Sequence, residues 1–370
     1  MTDKIEQLRA EVDAWVRENH SATADSTVTW FAALGERGYT VPHWPREYGG
    51  LGFTEAQAAV VHSVLAKHDA GLPDYYFVPL MLIGPAIMTW GTAEQQHRYL
   101  PGIVHGADMW CQLFSEPGAG SDLASLATRA VTEGSNWRIN GQKVWSSFAS
   151  GSRYGMLLAR TDPDQPKNAG ITCFLLDMTA PGVTVRPLRQ LTGEEHFCEV
   201  FLEDVIVGSD AVLGSVNDGW RVAMTTLNAE RSGLSETSGA SGVPTAPVLE
   251  LARQSGKWAD PLIRDRLTDL IAIERALALT NQRAEAGSIT KLVLSELSQK
   301  ISELGFEIGD AAYWDDVIPQ PAHDLLDSRR FTIAGGTSEV QRNIVGERVL
   351  GLEREIDPGR GKPWRELRRS

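Results

Sequence analysis

Trp137-Arg138-Ile139-Asn140-Gly141-Gln142-Lys143-Val144-Trp145-Ser146-Ser147 is the stretch at which the chain changes character. Trp137, Ile139 and Val144 flank Asn140-Gly141, a dipeptide tolerant of positive φ and the strongest short signal for a hairpin turn. A reversal between two strands is expected there. Tyr154–Arg160, Ile171–Asp177, Val183–Leu188 and Glu199–Val207 follow, each a short run rich in β-branched or aromatic residues and bounded by Gly, Pro or Asp. Together they predict a compact β-domain over residues 109–213.

Both flanks read as helices. In residues 1–108, Ile5, Leu8, Val12, Trp15 and Val16 recur at helical spacing, and Asp3 with Glu6 has the spacing of a capping box. A connection from Pro42 through Pro45 to Gly52 leads to a second helix near Thr54. Thr92 caps a helix over Glu94–Leu100 that Pro101-Gly102 is expected to end. In residues 214–370, Trp220, Ala223, Met224, Leu227 and Leu234 form one apolar stripe, and Leu270, Ile273 and Leu277 a second. Ile289, Leu292, Val293, Leu297, Ile301 and Leu304 form a third. Ser235–Ala246, rich in Ser, Gly and Pro, reads as a loop, and Ser338 with Gln341 as a capping box opening the last strong helix. The fold class is thus mainly α with an inserted β-domain: a helical N-terminal domain, a central β-barrel-like domain and a C-terminal helical bundle. Such layers leave a crevice where they meet.

The bulk properties narrow the function. The 370 residues suffice for two or three domains, and 42% hydrophobic with 22% charged residues is ordinary for a globular protein. A net charge of -13 argues against nucleic acid as partner, since phosphates demand a basic surface. Asp3, Lys4, Glu6 and Arg9 stand where a secretory leader would be apolar, and no apolar run approaches the ~20 residues that span a bilayer. A soluble cytoplasmic protein without a membrane partner is expected. Cys111, Cys173 and Cys198 form no C-x-x-C pair and are expected as buried reduced thiols, with no metal site.

Three motifs could carry chemistry. Ser115-Glu116-Pro117-Gly118-Ala119-Gly120-Ser121-Asp122 has close glycines that let backbone amides approach a ligand, with hydroxyls from Ser115 and Ser121 nearby. An ordinary surface turn would read the same way. It is no Rossmann fingerprint, because Leu123 replaces the third glycine. On the strand Gly141–Ser147, alternation puts Trp145 and Ser147 on one face, suited to stacking on a planar heterocycle and bonding its edge, or equally to a core Trp with an incidental Ser. Gly335-Gly336-Thr337-Ser338-Glu339-Val340-Gln341-Arg342-Asn343-Ile344 feeds two glycines into a helix start, which suits electron-rich ligand atoms or simply caps the helix.

In this order and spacing the three motifs closely resemble the acyl-CoA dehydrogenase family, with Tyr48-Gly49-Gly50-Leu51-Gly52 and Glu347-Arg348-Val349-Leu350-Gly351-Leu352 extending the likeness over essentially the whole chain. The resemblance implies an FAD enzyme. Gln112, Phe114 and Ser115 would meet the isoalloxazine, Ser121 the pyrophosphate, and Trp145 the flavin face. Ser147 would bond near N5, and Thr337 and Glu339 would contact FAD from the C-terminal helix start. The implied reaction removes a proton next to the thioester carbonyl of an acyl-CoA substrate and sends hydride from the next carbon to flavin N5, with an electron-transferring flavoprotein as acceptor.

Departures from the family pattern are as informative. The usual base is a Glu immediately before the Gly-Thr of the C-terminal signature, and Gly335 stands there. A minority of members place the Glu on a C-terminal-domain helix directly before an Arg. Glu230-Arg231 sits in that context, at the margin of the Leu227/Leu234 stripe, where partial desolvation would raise proton affinity. Glu230 is therefore the candidate base, and Gly335, through its N–H, and Arg231 are the candidate substrate contacts. Family homotetramers also reach a neighbour's FAD with Arg-x-Gln-Phe-Gly and Gly-Gly-x-Gly segments. Arg253-Gln254-Ser255-Gly256-Lys257-Trp258 and Ala311-Ala312-Tyr313-Trp314 have lost both patterns. A heterotetramer with a related subunit is expected beside the homo-oligomer. Two alternatives stay open: an oxygen-using flavoenzyme on the same scaffold, and a non-catalytic subunit of a heteromeric dehydrogenase.

Overall fold

In the computed structural model, residues 2–23, 27–236, 243–281, 287–309 and 318–367 are described, the side chains of a few, 230–236 among them, excepted. The chain divides into two compact units. The first comprises Met1–Pro187, Phe197–Thr226 and Gly361–Ser370, and the second Leu188–His196 and Leu227–Arg360.

The first unit opens with α1 (Thr2–Thr23), α2 (Thr27–Arg37), α3 (Glu55–Lys67), α4 (Gly84–Trp90) and α5 (Ala93–Val104). Val12 and Val16 from α1 pack with Trp30 and Leu34 from α2 and Val61 and Val64 from α3. Trp15 stacks on Trp30 with ring centroids 5.4 Å apart. Helix α1 already contains Asp3, so that residue is no cap. Thr54 and Thr92 do cap α3 and α5, each in a reciprocal box with the Gln three residues on. Pro101 does not stop α5. A helical proline costs about 3 kcal/mol, whereas burying each of Leu100, Ile103 and Val104 returns roughly 1.5–3 kcal/mol, so the helix runs on to Val104.

The sheet follows: β1 (Trp110–Leu113), β2 (Arg129–Glu133), β3 (Asn136–Ser147), β4 (Tyr154–Arg160), β5 (Ile171–Asp177), β6 (Val183–Leu188), β7 (Phe197–Gly208) and β8 (Val212–Leu213). Its order is β6-β7-β3-β2-β4-β5-β8, with β1 parallel to β4. Nearly every residue of β4 and β5 is buried, which explains their uninterrupted apolar runs. The expected turn at Asn140-Gly141 is absent. The chain reverses instead at Gly134-Ser135, where Glu133 pairs with Asn136, and β3 continues straight through Asn140-Gly141. Those two residues serve β3's neighbours. Asn140 exchanges side-chain hydrogen bonds with Asp204, its Oδ1 accepting from the Asp204 N–H at 2.9 Å, where the β3–β7 register shifts. Gly141 lets the Thr128 backbone approach so closely that a Cβ would lie 2.7 Å from the Thr128 Cα.

Helix α6 (Gly219–Glu236) precedes α7 (Thr245–Gln254), α8 (Pro261–Thr280), α9 (Gly287–Gly309), α10 (Gln320–Ser328) and α11 (Ser338–Ile344). The loop expected over Ser235–Ala246 is shortened by helix at both ends, and its centre, 237–242, lies outside the described residues. The second unit's core joins Val248, Ala252, Leu267, Leu297, Ile301 and Leu304. The apolar stripe expected on α9 holds only in its second half. The first half buries Ser288, Thr290, Lys291 and Ser295, with the Lys291 ammonium donating to the Phe331 carbonyl.

Among the described residues no helix is long and apolar enough to cross a membrane. All three cysteines are buried and unbridged, and burial pushes the Cys111 thiol up to about 12.

Candidate active site

The first half of the site is organised by a buried ion pair. Lys143, fully buried on β3, donates to Glu116 Oε1 at 2.8 Å and to the Phe114 carbonyl at 3.0 Å. Glu116 also accepts from the Ala127 N–H at 2.6 Å and the Thr128 N–H at 2.8 Å. One carboxylate thus closes both ends of the 116–128 loop. Burial would raise the Glu116 carboxyl, but the Lys143 ammonium and the two N–H groups hold it below the ordinary carboxylate value. Burial depresses Lys143, which its partner only partly offsets. Inside the loop, Glu116 and Ala119 bond each other's backbones, and Asp122 accepts from Ser125 and Lys167.

The strand that carries Lys143 displays the next feature. Lys143 pairs with Val200 and Ser146 with Cys198, so three steps on β3 oppose two on β7. This is a bulge of one residue, and Trp145 takes φ 60° in it. Lys143 and Val144 are consequently both buried. Beyond the bulge the alternation resumes one place out of phase, which turns Trp145 outward (62% exposed) and Ser146 inward. Without the extra residue the indole would face the core. Ser147 stays on the open side with Trp145, as expected from the sequence. The Val144 N–H donates to the Ser115 carbonyl at 3.0 Å, fixing the loop's start beside this strand.

These residues suit the flavin that the resemblance implies. An exposed indole, nearly perpendicular to the Phe197 ring with centroids 6.2 Å apart, offers aromatic surface for a planar ring. Among the described residues nothing accepts from the Gly120 and Ser121 N–H groups, and a Cβ added at Gly120 would meet nothing within 4 Å. Ser121 is exposed. A loop with open amides suits a pyrophosphate. Gln112 lies partly exposed on β1, paired with Met156. The Phe114 ring is buried, and its carbonyl is taken by Lys143.

The remaining candidates belong to the second unit. Glu230 and Arg231 lie on α6, and their side chains fall outside the described residues. Gly335 (φ 64°) and Gly336 (φ 90°) adopt backbone conformations that oppose any L side chain, so the position of the usual base is shaped for glycine. Among the described residues nothing accepts from the Gly335 N–H, while the Gln341 amide holds the Gly335 and Gly336 carbonyls at 3.1 and 3.4 Å. The cap of α11 is Thr337 rather than Ser338, its hydroxyl accepting from the Val340 N–H. Thr337, Ser338, Glu339 and Arg342 line a groove of about 560 Å³ against Gln299 and Lys300 of α9, and the buried Ser338 Oγ has no partner among the described residues. Arg253 sits over the Trp258 ring and near Glu250 within its own unit. Ala311–Trp314 lie outside the described residues.

The structure therefore brings Gln112, Phe114, Ser115, Trp145 and Ser147 to one sheet region and places Ser121 on the tied loop. Glu116 and Lys143, which tie it, escaped the sequence reading. Nothing local marked either one, since Lys143 stands among other polar residues of its strand.

Residues 2–107, 111–205 and 217–350 match the N-terminal, middle and C-terminal domain models of acyl-CoA dehydrogenase. Acyl-CoA dehydrogenase IpdE1 of Mycobacterium tuberculosis is 37% identical over 392 residues, covering 95% of this chain and 98% of its own. Acyl-CoA dehydrogenase FadE34 of the same organism is 40% identical, but this chain spans only about half of its length (49%). Among solved structures, the Tcur3481-Tcur3483 steroid ACAD superposes with a TM-score of 0.80 at 29% identity, covering 95% of this chain and 98% of that one. The ChsE4-ChsE5 complex from Mycobacterium tuberculosis gives a TM-score of 0.76 at 28% identity, covering 96% and 99%.

Proposed function

Because the chain belongs to the acyl-CoA dehydrogenase family, an oxidoreductase family of FAD flavoproteins, we propose that it converts an acyl-CoA thioester to the trans-2-enoyl-CoA with Glu230 as the base. The observation that carries the reading is the bulged, outward Trp145 on a strand bound to a loop with open amides.

FAD, when bound, supplies the two-electron acceptor for the hydrogen leaving the β-carbon. Trp145 holds its ring plane, Ser147 bonds the ring edge, Ser121 and the loop amides take the pyrophosphate, and Gln112, Phe114 and Ser115 border the isoalloxazine. Thr337 and Glu339 add contacts from the start of α11. Glu230 takes the proton from the carbon next to the thioester carbonyl, with Arg231 beside it. The Gly335 N–H donates to the carbonyl oxygen as negative charge develops there. The left-handed backbone at Gly335 favours a base carried elsewhere. An electron-transferring flavoprotein in the cytoplasm would be the electron acceptor.

The resemblance to a steroid ACAD makes esters with bulky, ring-bearing acyl groups the first substrates to try. Purified protein is titrated with a panel of CoA esters while flavin absorbance is followed. Glu230→Gln should slow bleaching by about 10²–10⁴-fold, the usual worth of a general base, at unchanged FAD content. Normal bleaching in that variant removes Glu230 from the role, and a flavin that no ester bleaches removes the reading altogether. Slow reoxidation by oxygen separates a dehydrogenase from an oxidase.

The altered Arg253–Trp258 and Ala311–Trp314 segments, and the two-chain assemblies named for similar structures, support a mixed oligomer. A homotetramer of this chain alone holding one tight FAD per subunit would exclude it.

A further inference from the structure

Residues 361–367 follow the second unit in sequence yet belong to the first. They lie beyond residue 350, where the match to the C-terminal family model ends. We infer that this segment is a strap that holds the distal half of the 116–128 loop in its cofactor-binding shape, with Trp364 as the positioning residue. The inference rests on the proposal that this loop takes the FAD pyrophosphate.

Three contacts carry it. Trp364 is buried, and its indole N–H donates to the Ser125 carbonyl at 3.2 Å, four residues past Ser121. Its ring covers the Arg160 guanidinium at 4.8 Å. Arg160 in turn donates to the Ala124 carbonyl at 2.7 Å and the Leu126 carbonyl at 3.3 Å. The backbone locks the strap in place: the Trp364 N–H donates to the Gln165 carbonyl at 2.9 Å and the Arg365 N–H to the Pro163 carbonyl at 3.1 Å. Arg365 adds an ion pair with Asp164 at 2.7 Å.

The 116–128 loop thus has two anchors of different kinds. Glu116 closes its stem. The Arg160–Trp364 sandwich grips the turn that follows Ser121, and Lys167 holds Asp122 beside it. Removing the indole frees the Ser125 carbonyl and uncovers one face of Arg160, whose carbonyl contacts set the path of residues 124–126. The open amides of Gly120 and Ser121 then lose their fixed direction.

The test compares Trp364→Ala, Trp364→Leu and Trp364→Phe with wild type, on the purified chain or on its complex if the assembly proves mixed. FAD dissociation is read by recovery of flavin fluorescence, and the melting temperature is taken on the apoprotein. Ala and Leu should weaken FAD binding at least tenfold, a change of 1.4 kcal/mol. Phe, which keeps a ring over Arg160, should stay within about threefold, and the Leu and Phe apoproteins should melt together. A folded Trp364→Leu protein that holds FAD as tightly as wild type overturns the inference. So does unfolding of both the Ala and Leu variants, which would make Trp364 a core residue only. A wild-type protein that binds no FAD would instead refute the functional reading beneath it.

Discussion

Lys143→Met is the substitution that most directly interrogates the site's construction. The side chain is fully buried and supplies two of the bonds that hold the loop's beginning, to Phe114 and to Glu116. Removing one member of a buried pair costs about 3–5 kcal/mol, because the other charge stays behind without its counter-ion. Glu116 would keep the Ala127 and Thr128 N–H donors, which places the expected loss near the low end, about 3 kcal/mol. For a unit of this size 1 kcal/mol shifts the melting temperature by roughly 2–4 °C, so the apoprotein should melt roughly 6–12 °C lower. Pairing it with Glu116→Gln removes the stranded charge, and the double variant should recover much of the loss. Differential scanning calorimetry on wild type, both singles and the double measures the coupling directly. A single variant melting within a degree of wild type, or a double variant as unstable as the sum of the singles, would refute the reasoning.

Two further outcomes follow from the same region. Glu116 sits below its ordinary value of 4.5 in the folded protein, so its contribution is fully present above that value and is lost as pH falls through the folded one. Glu116→Gln should therefore flatten the acid limb of stability against pH, and an unchanged limb in urea titrations would exclude it as the controlling group. Trp145→Ala should weaken FAD binding by about tenfold, the 1.4 kcal/mol expected of a lost aromatic stack, whereas Trp145→Phe should lose less. Equal affinities in a fluorescence titration would show that the exposed indole does not face the ring.

Much of the architecture could be read locally. The strands β4, β5 and β6 have the boundaries expected from their composition, because their apolar runs are short and the residues that end them are strong breakers. Where a local signal met a tertiary contact, the contact won. Asn140-Gly141 is hairpin chemistry used to serve a bulge and a close approach, and Pro101 is carried through a helix by the burial around it. The motifs themselves could be read, but what ties the 116–128 loop to its strand did not show. Glu116 and Lys143 are separated by 27 residues, and Trp364 and Ser125 by 239. No periodicity links such pairs. The outward turn of Trp145 likewise depends on how β7 is registered against β3, which no single strand reveals.

The strap has a consequence for biogenesis. Residues 361–367 emerge from the ribosome only after all of the second unit has been made, although they complete the first. Domains ordinarily fold in the order of synthesis, N-terminal first, at about 5–20 residues per second. Here 134 intervening residues from Leu227 to Arg360 are translated before the strap of the first unit is available. A message truncated upstream of Trp364 should therefore yield a nascent flavoprotein poor at retaining its prosthetic group.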